Sequence, residues 1–453
     1  MLELKLAMYI DFPSHMRPGI LVTCSDDIEL YSTGLTETIT FDKPGFTALA
    51  HPSDVTVGTT HGVFVLDPSG FSGEGGLEYT SCHRFLHKPD VETMRRCGAV
   101  CVRRNSSHLN SLADHSDSEV DSEYVYTDSI FYIDHSTAKQ LLAFYKQIDT
   151  LCCEVDAYGD FLQALGHGTT QDYTKNTSQM TKEESQLAEV RQKLCSLLKG
   201  ISLNVIVLNN SKFYHIGTTQ EYLFHFTSDS KLKFELNLLP EPFSISSDKA
   251  DTRSASIIQS IVEPGCFVGP GSIIEYSRIG PRVLVGKNCI ISGSCINLEV
   301  DIPSNCFLSS LSVKLDDQVK YVSMVFSVED DLKKNVELLS DTNSLRFFGV
   351  GLRECLDLWG VQLSNQLFSG DNSRFGLWTA RIFPVCCSLS ESVRMSLSML
   401  NSVQRMSAFT LTGFKLLSVE EMLAYKDVED MLKFRNQIHD EICLQRQKDK
   451  SGL

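Results

Sequence analysis

The chain contains no run of eighteen apolar residues, so no membrane-spanning helix is expected. Basic residues are in deficit, with 41 Lys and Arg against 57 Asp and Glu and a net charge of −16. A nucleic-acid surface needs a clustered basic face, and none is visible. The amino end lacks the basic region and small-residue cleavage site of a secretory leader. Neither G-x-x-x-x-G-K-[ST] nor a strand–helix G-x-G-x-x-G occurs, and no G-x-S-x-G elbow is present. Histidine is missing from the whole span between His225 and His439. The fifteen cysteines are odd in number and lie mostly within apolar runs, as at Cys152-Cys153 and Cys386-Cys387. That pattern fits reduced thiols in a cytoplasmic protein better than a disulfide framework.

What the chain does have is a repeat. From Ile261 to Ile296 it reads in sixes as IVEPGC, FVGPGS, IIEYSR, IGPRVL, VGKNCI and ISGSCI. Bulky apolar residues open each hexad (Ile261, Phe267, Ile273, Ile279, Val285, Ile291). Smaller residues follow four places later (Gly265, Gly271, Ser277, Val283, Cys289, Cys295). This is the hexapeptide pattern of a parallel β-helix, with three hexads per coil and the bulky residue pointing inward. It slips by one residue near Asn297 and resumes at Ile302 and Leu308, with Cys306 and Ser312 in the small places. An antiparallel meander is the plainer alternative. Hexapeptide acyltransferases place a catalytic histidine in such a solenoid, and this one has none.

The 453 residues suffice for two or three domains. Leu2 to Phe12 reads as an amphipathic helix. Ile20 to Cys24 reads as a buried strand of the parallel type, ending in Asp26-Asp27. Strands are expected at Val55–Gly58, Gly62–Leu66, Tyr79–Phe85 and Val125–Ile133, with a glycine-containing hairpin loop over 69–76. Asp134 or Ser136 caps the next helix, and a polar, acidic insertion spans Asn105 to Glu123. A helix opens at the Thr181–Glu184 capping box and closes at Gly200. Leu203–Leu208 and Lys212–Ile216 form two further strands. After the repeat, helices are expected from Ser327, over Ser390–Leu400 and over Ser418–Ile442.

Several residues could carry chemistry. Asp26 and Asp27 close a strand where carboxylates can hold a divalent metal, or they can cap a turn. Lys88, fixed ahead of Pro89, suits a phosphate contact or is a surface lysine. Asp156 and Asp160 would share a helix face and meet a metal, or be solvated, or cap the helix. Cys82, His83, His87, Cys97 and Cys101 have zinc-like spacing, but their side chains would have to converge.

The stretches DFPSHMRPGILVTCSDDIELY, GTTHGVFVLD, CHRFLHKP, YVYTDSIFYIDHSTAKQLLAFY, EVDAYGDFLQALG, NNSKFYHIGTT and LWTARIFPV resemble the fucose-1-phosphate guanylyltransferase (GDP-L-fucose pyrophosphorylase) family. The resemblance implies an α/β, Rossmann-like nucleotidyltransferase sheet over 1–200, a connection and left-handed parallel β-helix over 201–325, and a mixed, mainly helical part over 326–453. It implies that GTP and β-L-fucose 1-phosphate give GDP-L-fucose and pyrophosphate with Mg2+. Asp26 and Asp156 then stand as metal ligands and Lys88 as the sugar-phosphate contact, with Asp27 and Asp160 as further substrate-binding candidates. His87 stands where the wider nucleotidyltransferase group has Glu in an E-K-P pattern. Self-association through the β-helix is a further implication. The family's glycine-rich nucleotide loop should precede the first helix here, so the resemblance also implies an amino-truncated sheet of low activity. The rival reading is a non-catalytic form that binds sugar phosphate or a full-length subunit.

Overall fold

A computed structural model describes residues 16–24, 26–31, 39–70, 72–73, 75–103, 122–148, 151, 153, 155–175, 187–236, 242–246, 255–370 and 375–451. The expected helix at 2–12, the insertion up to 121 and the capping box at 181–184 lie outside them. The chain divides into two compact units, Met1–Ile216 and Gly217–Leu453.

Unit one is built on strands β1 (Gly19–Val22), β2 (Asp27–Leu30), β3 (Phe46–Asp54), β4 (Gly62–Leu66), β5 (Leu77–His87), β6 (Cys101–Arg103), β7 (Ser122–Asp134), β8 (Leu203–Leu208) and β9 (Lys212–His215). The main sheet runs β1-β7-β3-β8-β5-β4, with β6 also on β7, while β2 and β9 form a separate antiparallel pair. Among these strands only β3 and β8 pair in parallel. Alternating residues fill both faces. Phe46, Ala48, Phe131, Ile133, Val205 and Val207 lie on one side, and Leu49, Ile130, Tyr132 and Ile206 on the other. Double coverage explains the near-continuous apolar runs, which antiparallel strands show less often.

Three local expectations are corrected. The run at 20–24 contributes β1, an edge strand antiparallel to β7 with Ile20 48% exposed; its apolar residues do not mark a buried parallel strand. Val55–Gly58 is a single helical turn following β3, where Gly58 has Val125 and Met94 so close that a Cβ would meet both. Residues 327–330 form a turn in which Asp330 accepts the Ser327 N–H at 2.8 Å, so no helix starts there. Other local signals hold. Asp134 caps the helix His135–Gln147 by accepting the Thr137 N–H, and Gly200 takes a left-handed conformation after the helix Leu187–Leu198.

Unit two opens as a solenoid of stacked parallel strands. One face stacks Ile245–Ser246, Ile261–Val262, Arg278–Ile279 and Cys295–Ile296. The second stacks Ser256–Ile258, Ile273–Glu275, Ile290–Ser292 and the start of Cys306–Leu315. The third stacks Phe267–Val268, Val283–Val285 and Val300–Ile302. From Ser256 onward every partner lies 17 residues along, as Ile261 with Arg278 and Ile273 with Ile290. A coil is therefore one residue short of three hexads. The interior column is Val262, Val268, Ile274, Ile279, Val285, Ile291, Ile296, Ile302 and Leu308. The expected phase is thus right at Ile279, Val285 and Ile291 and one residue early before them. Phe267 points outward and is 53% exposed.

Left-handed backbone recurs at the corners, the shortened one between Ile274 and Ile279 and the full-length ones alike. Gln259, Tyr276 and Gly293 have positive φ, as do Gly271, Asn288 and Asn305. Beside these corners runs a column of buried serines: the Ser277 N–H donates to Ser260 Oγ, and the Ser294 N–H to Ser277 Oγ. The column continues through Ser310, Ser323 and Ser392. The solenoid core also runs on without a break into Trp359, Phe383, Val393 and Leu400 of the C-terminal helices and loops. Ser418 and Glu421 form the expected capping box. The segment expected as one helix over 418–442 is two helices, Val419–Ala424 and Val428–Ser451.

Candidate functional site

Polar side chains gather in unit one where β2 and β4 begin and β5 and β9 end. β4 and β5 are antiparallel, and Gly62 pairs with His87. This places His61 and Lys88 side by side, and the Lys88 N–H donates to His61 O at 3.0 Å. Lys88 has φ of 45°, a left-handed conformation for a residue carrying a Cβ, and Pro89 behind it is buried. Strained backbone of this kind persists where the surroundings over-determine it, often at functional sites.

Asp26 lies just ahead of β2, with its side chain half exposed. His215, the last residue of β9, brings Nε2 to 3.5 Å from Asp26 Oδ2. The Ile216 N–H donates to Asp26 O at 2.7 Å. The interaction with His215 holds the Asp26 carboxyl below its usual range, against a smaller opposing effect of burial. The His61 ring meets His215 edge-on at 4.5 Å and Phe213 at 5.1 Å. Asp26 is thereby linked through two histidines to the Lys88 backbone. Asp27, one residue on, is only 1% exposed. Strand alternation sends the two neighbouring carboxylates in different directions, so they do not act as a pair.

Asp156 and Asp160 are also separated. Asp156 sits in a turn, where its Oδ1 accepts the N–H groups of Tyr158 and Gly159 at 2.8 and 2.7 Å. Its Oδ2 faces His87 Nε2 at 3.5 Å, and the side chain is 42% exposed. Asp160 is fully buried. Its Oδ1 lies 2.5 Å from Arg191 Nε, and its Oδ2 accepts the Asp156 N–H at 2.8 Å. Burial raises the Asp160 carboxyl, although Arg191 opposes the rise. The helix expected from Asp156 is one turn, Gly159–Leu162, so the shared-face arrangement does not form. Asp160 supports the turn that carries Asp156.

Sequence reasoning passed over Asp128, in the middle of β7. Its Oδ1 accepts the Gly62 N–H at 2.9 Å. Burial pushes its carboxyl up to about 7 against that hydrogen bond; Asp156 adds to the rise and Lys88 opposes it. The available signal was a lone acid in the apolar strand VYTDSIFYI. His215 and His61 were also missed, because each looks like an ordinary strand-end residue until the fold brings them together. His87, mostly buried, is held below the ordinary histidine range by burial, which Asp156 opposes.

The zinc-like set does not assemble. Cys82 is buried in the core with its thiol toward Val65 O, while His83 beside it is exposed on the other face. Among the described residues, no three His, Cys, Asp or Glu side chains are placed to hold a metal ion by themselves. No described helix is long and apolar enough to cross a membrane.

A mixed α/β unit with carboxylates, histidines and a lysine at its strand ends, followed by a parallel-strand solenoid, is the architecture to be placed. The profile of the fucose pyrophosphorylase domain matches residues 1–388, and the chain belongs to that family. It is 60% identical to a human fucose-1-phosphate guanylyltransferase over 447 residues, covering 98% of this chain and 74% of the human protein. Against the mouse fucose-1-phosphate guanylyltransferase it is 58% identical over 456 residues, covering 100% of this chain and 77% of the mouse protein.

Proposed function

We propose that the chain is a nucleotidyltransferase that forms GDP-L-fucose and pyrophosphate from GTP and β-L-fucose 1-phosphate. Its family membership and its similarity along nearly its whole length to two guanylyltransferases carry this reading. Nothing in those similarities favours a non-catalytic sugar-phosphate binder.

In this reaction an oxygen of the sugar phosphate attacks the α-phosphorus of GTP. A new P–O bond forms as the bond to the β-phosphate bridging oxygen breaks, and that electron pair leaves with pyrophosphate. The attacking oxygen is already anionic, so no general base is required. Positioning and charge stabilisation supply the rate. We assign Lys88 to the sugar phosphate: its strained, anchored backbone fixes where the ammonium can reach. Asp26 and Asp156 present partly exposed carboxylate oxygens, each steadied from behind, Asp26 by His215 and Asp156 by two backbone N–H groups. Hard oxygens on two carboxylates suit Mg2+, which completes its shell with water and substrate phosphate. When bound it would offset charge on the leaving pyrophosphate. Asp27 and Asp160, being buried, are assigned supporting roles behind Asp26 and Asp156.

Two finer assignments go with this reading. The first unit is taken as a variant of the Rossmann-like nucleotidyltransferase sheet, and the solenoid as left-handed. The outward pair Phe267 and Leu284, both about half exposed on one face, is a surface for self-association of the solenoid, tested by light scattering of Phe267→Glu.

The deciding experiment supplies GTP, Mg2+ and β-L-fucose 1-phosphate with pyrophosphatase and reads GDP-fucose by mass spectrometry. Product is expected from the wild-type chain. Asp26→Ala and Lys88→Ala should each reduce the rate by roughly a hundredfold or more. Folded wild-type protein that yields no product overturns the assignment.

A further inference from the structure

We infer that Asp128 is a sugar-recognition residue that accepts a hydrogen bond from a ring hydroxyl of the sugar phosphate. The inference rests on the guanylyltransferase reading and extends it from the phosphate to the sugar.

Asp128 is the one acid in the buried stretch VYTDSIFYI of β7, flanked by the buried hydroxyl residues Thr127 and Ser129. Its neighbours Val125, Tyr126, Ile130 and Phe131 are all buried. A buried carboxylate costs several kcal/mol unless it is well paired. The protein gives it little in return. Oδ1 accepts the Gly62 N–H, the N–H of Asp128 itself adds a second backbone interaction, and no cation lies within ion-pair distance among the described residues. Fold stability therefore does not account for its presence.

The surroundings place it at the site. Gly62, its hydrogen-bond partner, is paired across the strands with His87, and Lys88 follows directly. Lys88 and Asp156 are the charged groups that act on Asp128 electrostatically. The backbone opposite is bare: a Cβ on Gly62 would come 2.5 Å from Asp128 Oδ2 and 2.1 Å from the Phe85 ring. Oδ1 is thus fixed by Gly62, and Oδ2 is the oxygen that remains to accept. The residue keeps 7% of its surface accessible, so it is nearly but not wholly closed off. An acceptor so placed, beside the lysine assigned to the sugar phosphate, matches the hydroxyl-rich ring of a hexose 1-phosphate. It has no counterpart in the triphosphate, which carries acceptors only.

The test uses Asp128→Asn, which preserves shape and leaves a carbonyl oxygen for the Gly62 N–H. At pH 8, above the raised midpoint of Asp128 at about 7, a hydrogen bond to the charged group is worth about 1.5–3 kcal/mol, or roughly ten- to a hundredfold in affinity. The KM for β-L-fucose 1-phosphate should rise by about that factor. The KM for GTP should stay within about twofold and the melting temperature should not fall. Against the 2-, 3- and 4-deoxy sugar phosphates, the wild-type chain should reject one analogue strongly, and the variant should lose that discrimination. Calorimetric titration of β-L-fucose 1-phosphate into both proteins reads the same effect without turnover. If wild type binds the sugar phosphate but makes no product, the reaction assignment falls while the titrations still decide on Asp128. A lowered melting temperature with both KM values rising together overturns the inference. So does unchanged discrimination among the deoxy analogues.

Discussion

Nε2 of His215 stands 3.5 Å from Oδ2 of Asp26, although 189 residues of chain separate them. The pairing of β2 with β9 produces this contact, since Asp27 is in register with His215. The histidine depresses the aspartate's pKa from its ordinary value of 3.8. His215→Ala should therefore move the Asp26 titration upward, as read by carboxyl carbon NMR. A depressed carboxyl contributes to stability above its unfolded pKa and loses that contribution as pH falls through the folded value. The stability gap between wild type and His215→Ala should accordingly close below about pH 3.8. An unchanged Asp26 midpoint would show that the histidine does not hold the carboxylate.

Asp128 has the opposite sign. Its folded pKa of about 7 lies above the unfolded value. Between the two, the native state binds more protons than the unfolded state, so this group's contribution declines as pH rises from about 4 to 7. Asp128→Asn removes the dependence. The melting temperature of the variant relative to wild type should climb from pH 5 to pH 7.5 and then level off. A flat difference across that range would contradict a raised Asp128.

Lys88 allows amine and backbone to be separated. Lys88→Ala and Lys88→Gly both lose the ammonium, but only glycine accepts a φ of 45° without steric cost. Both variants should lose activity alike. The glycine variant should be the more stable by about 1 kcal/mol in urea denaturation. Equal stabilities would mean that the residue is not strained.

In unit two, Ser323 Oγ lies 2.7 Å from the hydroxyls of both Ser310 and Ser392. Ser323→Ala leaves each of these buried groups one partner short, at a cost of about 1–3 kcal/mol. The triple alanine variant should cost less than the sum of the three single changes, because the later changes remove groups already left unsatisfied. Additive losses would rule out a coupled column.

The sequence made some of this legible and hid the rest for physical reasons. Period six in the repeat announced a solenoid, because stacked coils impose one inward residue per side. The phase was harder to read, since Ile261 and Ile273 are as apolar as the interior residues beside them and are themselves buried. Ile261 packs on Ile438 and Ile442. The β1 segment looked internal because apolar content does not reveal which strand ends up at an edge. Of the site, Asp26, Lys88 and Asp156 were singled out by position and resemblance. The adjacent pairs 26–27 and 156–160 looked equivalent on paper, and only folding assigned one member of each to the surface. Asp128, His61 and His215 depend on contacts between distant strands, which local pattern does not encode.

The 17-residue coil sets a unit of length for unit two. Its left-handed corners and serine column repeat together every 17 residues, and the serine column needs a small hydroxyl directly above and below. An insertion of one whole coil would preserve both alignments and lengthen the stack by a rung. An insertion of any other size within the coils would put an aliphatic group into the serine column and turn polar side chains toward the interior column. Relatives should therefore differ in solenoid length by whole coils, with other insertions confined to outward loops, so that this half of the molecule grows or shrinks in steps.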